Sequence, residues 1–253
     1  MKSLLIKGIF IVPLVLATLL NVSCGGDSKG FSLAKHGPKP DLSRCQALSQ
    51  KKKYEESIKC FEAYKSRDFG STGTAGADLA IADAYFHNKD YLVAAEAYNL
   101  FTQSYPRHQS VPYAYVQSGL SYLKQSPKGI DRDFGSLDDA IAQFQTAIDY
   151  YPNSREAEHA HLYLNTTQLK IARKHFYIGR FYYRYNEYLA AIPRFETIAN
   201  EYPRVGLEDK TYYMLIKSLR KTQQTELATR YFEIFKKFYP EKTKTIKEIA
   251  SLF

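Results

Sequence analysis

The chain has 253 residues, 45% of them hydrophobic, enough for a packed core and too many for wholesale disorder. Its 22 Tyr and 15 Phe stand beside no Trp and 2 Met, and its Tyr- and Ala-rich segments lack the alternation of strands, which points to packed helix pairs. The formal charge is +9, and residues 204–253 hold 11 Lys/Arg against 6 Asp/Glu, a basic end suited to anionic lipid, an acidic protein face or nucleic acid, or simply to a solvated surface.

Lys2 and Lys7 give the chain a positive start, and Gly8 to Leu20 is an apolar run interrupted by Pro13. The run is shorter than the ~20 residues of a spanning helix, so residues 1–23 read as an export signal. It stops at Leu20-Asn21-Val22-Ser23-Cys24, followed by Gly25-Gly26. This junction resembles a bacterial lipoprotein cleavage box, with Asn21 where Leu is usual. The resemblance implies that Cys24 becomes the first mature residue and carries acyl chains. It also implies that Gly25, standing where Asp would hold a lipoprotein at the inner membrane, directs the chain to the outer membrane. Each buried CH₂ of such chains contributes about 0.8 kcal/mol to anchoring. The alternative is plain secretion with cleavage near Ser23. Residues 24–40, rich in Gly, Ser, Lys and Pro, read as a lipid-anchored flexible tether. An exported chain rarely meets nucleic acid, which is therefore set aside as a partner.

Residues 41–253 read as one repeat domain. Cys45 and Cys60 fall on a predicted helical hairpin, nearly equidistant from a turn near Lys52. An even count in an oxidising compartment permits a disulfide, and two small buried thiols are the alternative. Downstream, Tyr-Pro recurs at Pro106, Pro152, Pro203 and Pro240. Counted back from each Pro, a small residue stands twelve places before (Ala94, Ala140, Ala191, Ala228) and an aromatic eight before (Tyr98, Phe144, Phe195, Phe232). An apolar residue stands five before (Phe101, Ala147, Ile198, Phe235). A further copy lies upstream at Ser57, Phe61 and Tyr64. Residues at i, i+4 and i+7 line one helix face, and Pro ends each helix because the residue before it avoids the helical region.

A partner helix precedes each of these, with Gly119 and Gly179 at the point where two helices touch and Tyr122 and Tyr182 three residues later. The pattern resembles the tetratricopeptide repeat. It implies an all-α fold, a superhelical array of about five helix pairs, with Lys242 to Phe253 as a C-terminal capping helix. Ser154 to Tyr185 is long enough for a single helix of about 48 Å, and Pro193 predicts a local kink in the helix after it.

First helices of such arrays line the concave face. Counting from the small-residue position places Leu79, Asp83, Phe86 and His87 there in unit two, and Tyr113, Val116, Leu120 and Leu123 in unit three. Unit four contributes Phe176, Arg180, Tyr183 and Arg184, and unit five Tyr213, Lys217, Arg220 and Lys221. The predicted groove is aromatic and apolar in its first half and basic in its second, suiting an extended aromatic-bearing peptide and an acidic surface respectively. Packing between units is the alternative role for each of these side chains.

Four stretches carry a closer likeness: Phe101 to Gly119, Arg132-Asp133 ahead of Ala140, Tyr151-Pro152-Asn153-Ser154, and Phe181 to Arg194. With the lipoprotein box and the repeats, the chain resembles the BamD family of the outer-membrane β-barrel assembly machinery. The resemblance implies a non-enzymatic scaffold, anchored in the outer membrane and facing the periplasm. It implies docking on a BamA-type insertase and accessory lipoproteins through the C-terminal repeats, and recognition of the aromatic-ended signal of unfolded barrel proteins by the N-terminal ones. Arg194 matches a position tied to coupling with the insertase. Differences are Asp68-Phe69-Gly70 in place of Tyr-Pro in unit one, His175 where Glu is usual, Phe134 where Gln is usual, and a short loop before Arg132. Another tetratricopeptide lipoprotein, such as a pilotin or a partner of peptidoglycan-handling enzymes, is the alternative.

Enzyme motifs are weak. Gly70, Gly73 and Gly76 imitate a phosphate loop but lack its Lys-Ser/Thr ending and a preceding strand. His159 and His161 are two apart and do not share a helix face. No catalytic residue, metal site or cofactor is expected.

Overall fold

The computed structural model describes residues 41–67, 73–127 and 135–253. The expected signal peptide, Cys24 and the tether lie outside the described residues, as do Asp68-Phe69-Gly70 and Arg132-Asp133-Phe134. Among the described residues there are eleven helices and no strand. They form five successive pairs: α1 (Leu42–Gln50) with α2 (Tyr54–Arg67), α3 (Gly73–Asn88) with α4 (Tyr91–Ser104), and α5 (Val111–Gln125) with α6 (Gly135–Tyr150). The last two pairs are α7 (Arg155–Arg184) with α8 (Tyr188–Glu201), and α9 (Glu208–Lys221) with α10 (Thr225–Phe238). Helix α11 (Thr243–Ala250) closes the array. Packing is between sequence neighbours and between first helices of adjacent units, the contact pattern of a repeat array.

The Tyr of each Tyr-Pro pair closes its helix as the sequence predicts. Tyr105, Tyr151, Tyr202 and Tyr239 each donate a backbone N–H to the carbonyl four residues back, at 2.9 to 3.2 Å. The following Pro has no N–H with which to continue the ladder. The turns inside units use another device. Lys52, Lys89, Asn186 and Gln223 take left-handed φ of 59 to 71°. After each, the next N–H reaches back to a carbonyl five residues away, as from Asp90 to Tyr85 and from Glu187 to Tyr182, both at 3.0 Å. This is a Schellman closure made without glycine.

Glycine is needed at the helix crossings instead. A Cβ on Gly119 would stand 2.6 Å from Cε1 of Phe144, and one on Gly179 would stand 2.8 Å from Cε1 of Phe195. Both rings are wholly buried. The repeat's small-then-aromatic pattern is thus a pair of backbones brought close with a ring filling the gap.

Helix α7 runs unbroken for 30 residues, about 45 Å. Its start is capped by Ser154, whose Oγ accepts from the Ala157 N–H at 3.1 Å, with Glu156 and Glu158 at the positive end of its dipole. Helix α8 continues through Pro193, which is exposed. At the far end Ile249 of α11 is fully buried and Phe253 stacks on Phe232, ring centres 5.6 Å apart. Phe232 is accordingly half-buried beneath the cap, whereas Phe61, Tyr98, Phe144 and Phe195 fill the interiors of units one to four.

Candidate binding surface

Units one and two enclose a groove of about 470 Å³ lined by Gln46, Ser49 and Gln50 of α1, by Lys52, by Tyr54 and Phe61 of α2, and by Ala80, Asp83, Ala84 and His87 of α3. Its α1 wall is tied to α2 by a disulfide between Cys45 and Cys60, whose Cα atoms are 5.4 Å apart. The Ser57 hydroxyl, fully buried, donates to the Cys45 carbonyl at 3.0 Å and meets the Ser49 hydroxyl at 2.6 Å. His87 stacks on Tyr54 at the rim, ring centres 5.9 Å apart.

Asp83 joins three helices. The hydroxyls of Tyr98 on α4 and Tyr113 on α5 both donate to its Oδ1, at 2.6 and 2.8 Å. Burial raises the Asp83 carboxyl above its ordinary value of 3.8, opposed by those two hydrogen bonds and by nearby His87. Burial also drives both tyrosine hydroxyls upward, so they stay protonated donors. The unfolded chain gives up the Asp83 proton at lower pH than the folded one. Stability from this group is therefore present at acid pH and lost as pH rises from about 4 through the raised folded value. Asp83→Asn keeps the acceptor and removes the buried charge. It flattens that slope and matches or exceeds the parent in stability at pH 7. Asp83→Leu orphans two hydroxyls and costs about 1–3 kcal/mol. Denaturant titrations from pH 4 to 7 read both effects, and an unchanged slope in Asp83→Asn contradicts this account.

Of the residues the sequence placed in the first-half groove, Asp83 and His87 line it. Tyr113 holds Asp83 from the next unit. Five others take part in packing. Val116 is only 4% exposed, in the cluster around Phe144. Leu120 and Leu123 pack partly buried against that cluster. Leu79 and Phe86 pack against the one around Tyr98. The unit-one wall lies outside the expected groove, which takes in first helices of units two to five only.

The second half presents the expected cations. Arg173, Phe176, Tyr177, Arg180 and Arg184 of α7 wall a recess of about 310 Å³. Arg173 is six residues before Gly179, the offset that picks out Tyr113 before Gly119, so the counting rule contained it. On α9, Lys217 lies over the rings of Tyr183 and Tyr213, 5.8 and 5.3 Å from their centres. Arg220 lies over Phe253 at 5.1 Å, and Lys221 is exposed. These cation–π contacts hold the basic side chains in place while leaving their charge intact.

Arg194 is not part of that face. It lines a separate recess of about 290 Å³ with Ile171, Lys174, His175 and Ile178 of α7, Gly135, Asp138 and Tyr202. At about 100° per residue, those α7 positions lie on the opposite face from Arg173, Arg180 and Arg184. His175 Nδ1 is buried without a hydrogen-bond partner. Burial first, then the Arg194 charge, lower its basicity below the usual 6.5. The unfolded chain then binds the proton more readily, so stability falls as pH drops through about 6.5. His175→Gln removes that decline, and melting curves at pH 5 and 7 for the two proteins measure it.

A family model described as "Outer membrane lipoprotein" (YfiO) matches residues 43–232, from α1 into α10, and so takes in both the disulfide-tied groove and the basic face. The chain belongs to this family. YfiO-family likeness extends to curated relatives. The chain is similar to the outer membrane protein assembly factor BamD of Rickettsia prowazekii (strain Madrid E), 28% identical over 196 residues, 76% of each chain. It is also similar to the assembly factor BamD of Pasteurella multocida (strain Pm70), 23% identical over 205 residues, 78% of each chain. Among solved structures it is similar to the TPR2AB-domain:pHSP90 complex of yeast Sti1, at 12% identity and a TM-score of 0.39, covering 83% of this chain and 80% of that one. None of this YfiO-family member's described helices is long and apolar enough to cross a membrane.

Proposed function

We propose that this chain is a non-enzymatic scaffold of outer-membrane β-barrel assembly, anchored by acyl chains on Cys24 and facing the periplasm. The residues before the repeats serve as signal peptide (1–23) and tether (24–40). The observation that carries the reading is the change of surface along one continuous array. A groove with an aromatic and histidine rim lies in units one and two, and a cation-rich face lies in units four and five. The first receives extended segments of unfolded barrel proteins, with Asp83 and His87 at its wall. The second docks the chain on a BamA-type insertase and its accessory lipoproteins, through Arg180, Tyr183, Arg184, Lys217, Arg220 and Lys221. Arg194 acts from the other face of α7, beside His175. The relatives named as assembly factors support this reading.

The test is affinity purification of the full chain from detergent-solubilised outer membranes. A BamA-type insertase is recovered with it, and the combined variant Arg184→Glu/Lys217→Glu loses that partner. Depletion lowers the level of barrel proteins. Normal barrel levels after depletion, or an insertase recovered equally by the variant, contradict the reading. Cys24→Ala releases the chain from the membrane fraction.

A further inference from the structure

The α7 recess carries more positive charge than the fold uses. None of its five lining residues is acidic. Among the described residues, Arg173, Arg180 and Arg184 enter no ion pair. Three like charges along 12 residues repel one another, so their grouping gains the fold nothing. Aromatic surface stands among and beside them. Tyr177, within the recess, is 50% exposed, and next to the arginine stripe Phe181 is 43% exposed and Tyr185, the residue that closes α7, 65%. The rings of Phe181 and Tyr185 lie 4.8 Å apart, and Phe176 is fixed edge-on against buried Phe195 at 5.7 Å. Exposed aromatics beside a run of arginines are the composition of a protein-binding surface rather than of a solvated face.

We propose that this recess is a peptide site whose occupant is a short extended segment of a partner protein, bearing carboxylate side chains on either side of an aromatic one. The inference rests on units four and five being the docking end, and it names the chemistry they read. A guanidinium fork meets a carboxylate through two parallel charge-assisted hydrogen bonds, and its plane stacks on aromatic rings. The space between Phe176 and Tyr177 receives the ring. At about 310 Å³ the recess is at the small end of ligand-sized cavities, with room for one side chain and its flanks. Spacing fixes the segment. Arg180 lies about 10 Å along the axis from Arg173 and about 6 Å from Arg184. An extended strand advances about 3.3 Å per residue. Only every second side chain of such a strand faces the helix, so carboxylates at the first, fifth and seventh places of a heptapeptide, about 13 and 7 Å apart, reach the three long arginine side chains in turn, with the aromatic at the third place between the first two.

The probe is a fluorescent heptapeptide with blocked ends, glutamates at those three places and phenylalanine at the third. The control carries glutamines instead. Fluorescence anisotropy with the full chain in detergent gives binding of the acidic peptide and about tenfold or more weaker binding of the control, a difference of ~1.4 kcal/mol. Arg180→Glu/Arg184→Glu loses the preference. Tyr177→Ala weakens both peptides. Lys59→Glu, a charge reversal on exposed α2, alters neither. All four substituted residues are exposed, so circular dichroism reads parental helix content in each variant. Equal binding of the two peptides overturns the proposal, as does a preference that survives the double reversal. Binding of the wild type to anionic vesicles, lost in the double variant with no peptide binding, also overturns it in favour of a lipid surface. If the insertase is recovered but the peptide does not bind, the recess assignment falls while docking stands. If the peptide binds selectively and no insertase is recovered, the docking reading falls and the recess assignment stands.

Discussion

Replacing Cys45 and Cys60 together by alanine destabilises helix α1 by about 3 kcal/mol, the cross-link effect for a loop of 15 residues. Helix α1 has 9 residues, too few to persist alone, and it is the terminal helix of the described array. What remains to hold it is Leu42 against α2 and α3 and the Ser49–Ser57–Cys45 hydrogen bonds. Contacts in an array run between neighbours, so the loss stays local. Amide exchange accelerates across residues 42–50, while α5 to α11 keep their protection and the main melting transition barely moves. Because Gln46, Ser49 and Gln50 form one wall of the first groove, binding of an extended barrel-derived segment weakens in step. Unchanged protection of α1 in the double variant sinks this prediction.

Gly119→Leu lowers stability by about 3 kcal/mol, the upper end for overpacking, and melting falls by roughly 6–12 °C for a chain of this size. An added side chain meets three atoms of the Phe144 ring within 3.0 Å. That ring is fully buried among Val116, Ala140, Ala147 and Ala160 and cannot swing away. Even alanine, which gains ~1 kcal/mol of helix propensity, remains destabilising here. Phe144→Ala alone costs about 3–5 kcal/mol, yet combined with Gly119→Leu the two penalties do not add, because each variant makes room for the other. Additive losses in a double-mutant cycle contradict the close-approach account.

Helix existence was legible wherever small, aromatic and apolar residues recur at fixed distance from a Tyr-Pro pair. Periodicity and a stop residue are both local properties. The length of α7 was legible for the same reason, since no proline stands between Ser154 and Tyr185. The groove was less so. Counting from Gly119 or Gly179 gives the direction of a side chain around its own helix axis, but not what the next unit lays against it. Val116 points where a groove residue should and is covered by α6 and α7. Asp83 points there too, yet one carboxylate oxygen is taken by tyrosines from two other helices. Arg194, on a second helix, needed a three-dimensional neighbour to reveal that it faces away from Arg180 and Arg184. The Cys45–Cys60 pairing was open because chain distance alone does not choose between a bond and two thiols.

The two recesses of α7 are cut into opposite sides of one rigid rod. The helix itself fixes the spacing of Arg173, Arg180 and Arg184 on one side and of Lys174 and His175 on the other. The longest helix of the array is thus a party wall: one element fronts two openings that look away from each other, so an occupant of either leaves the other uncovered.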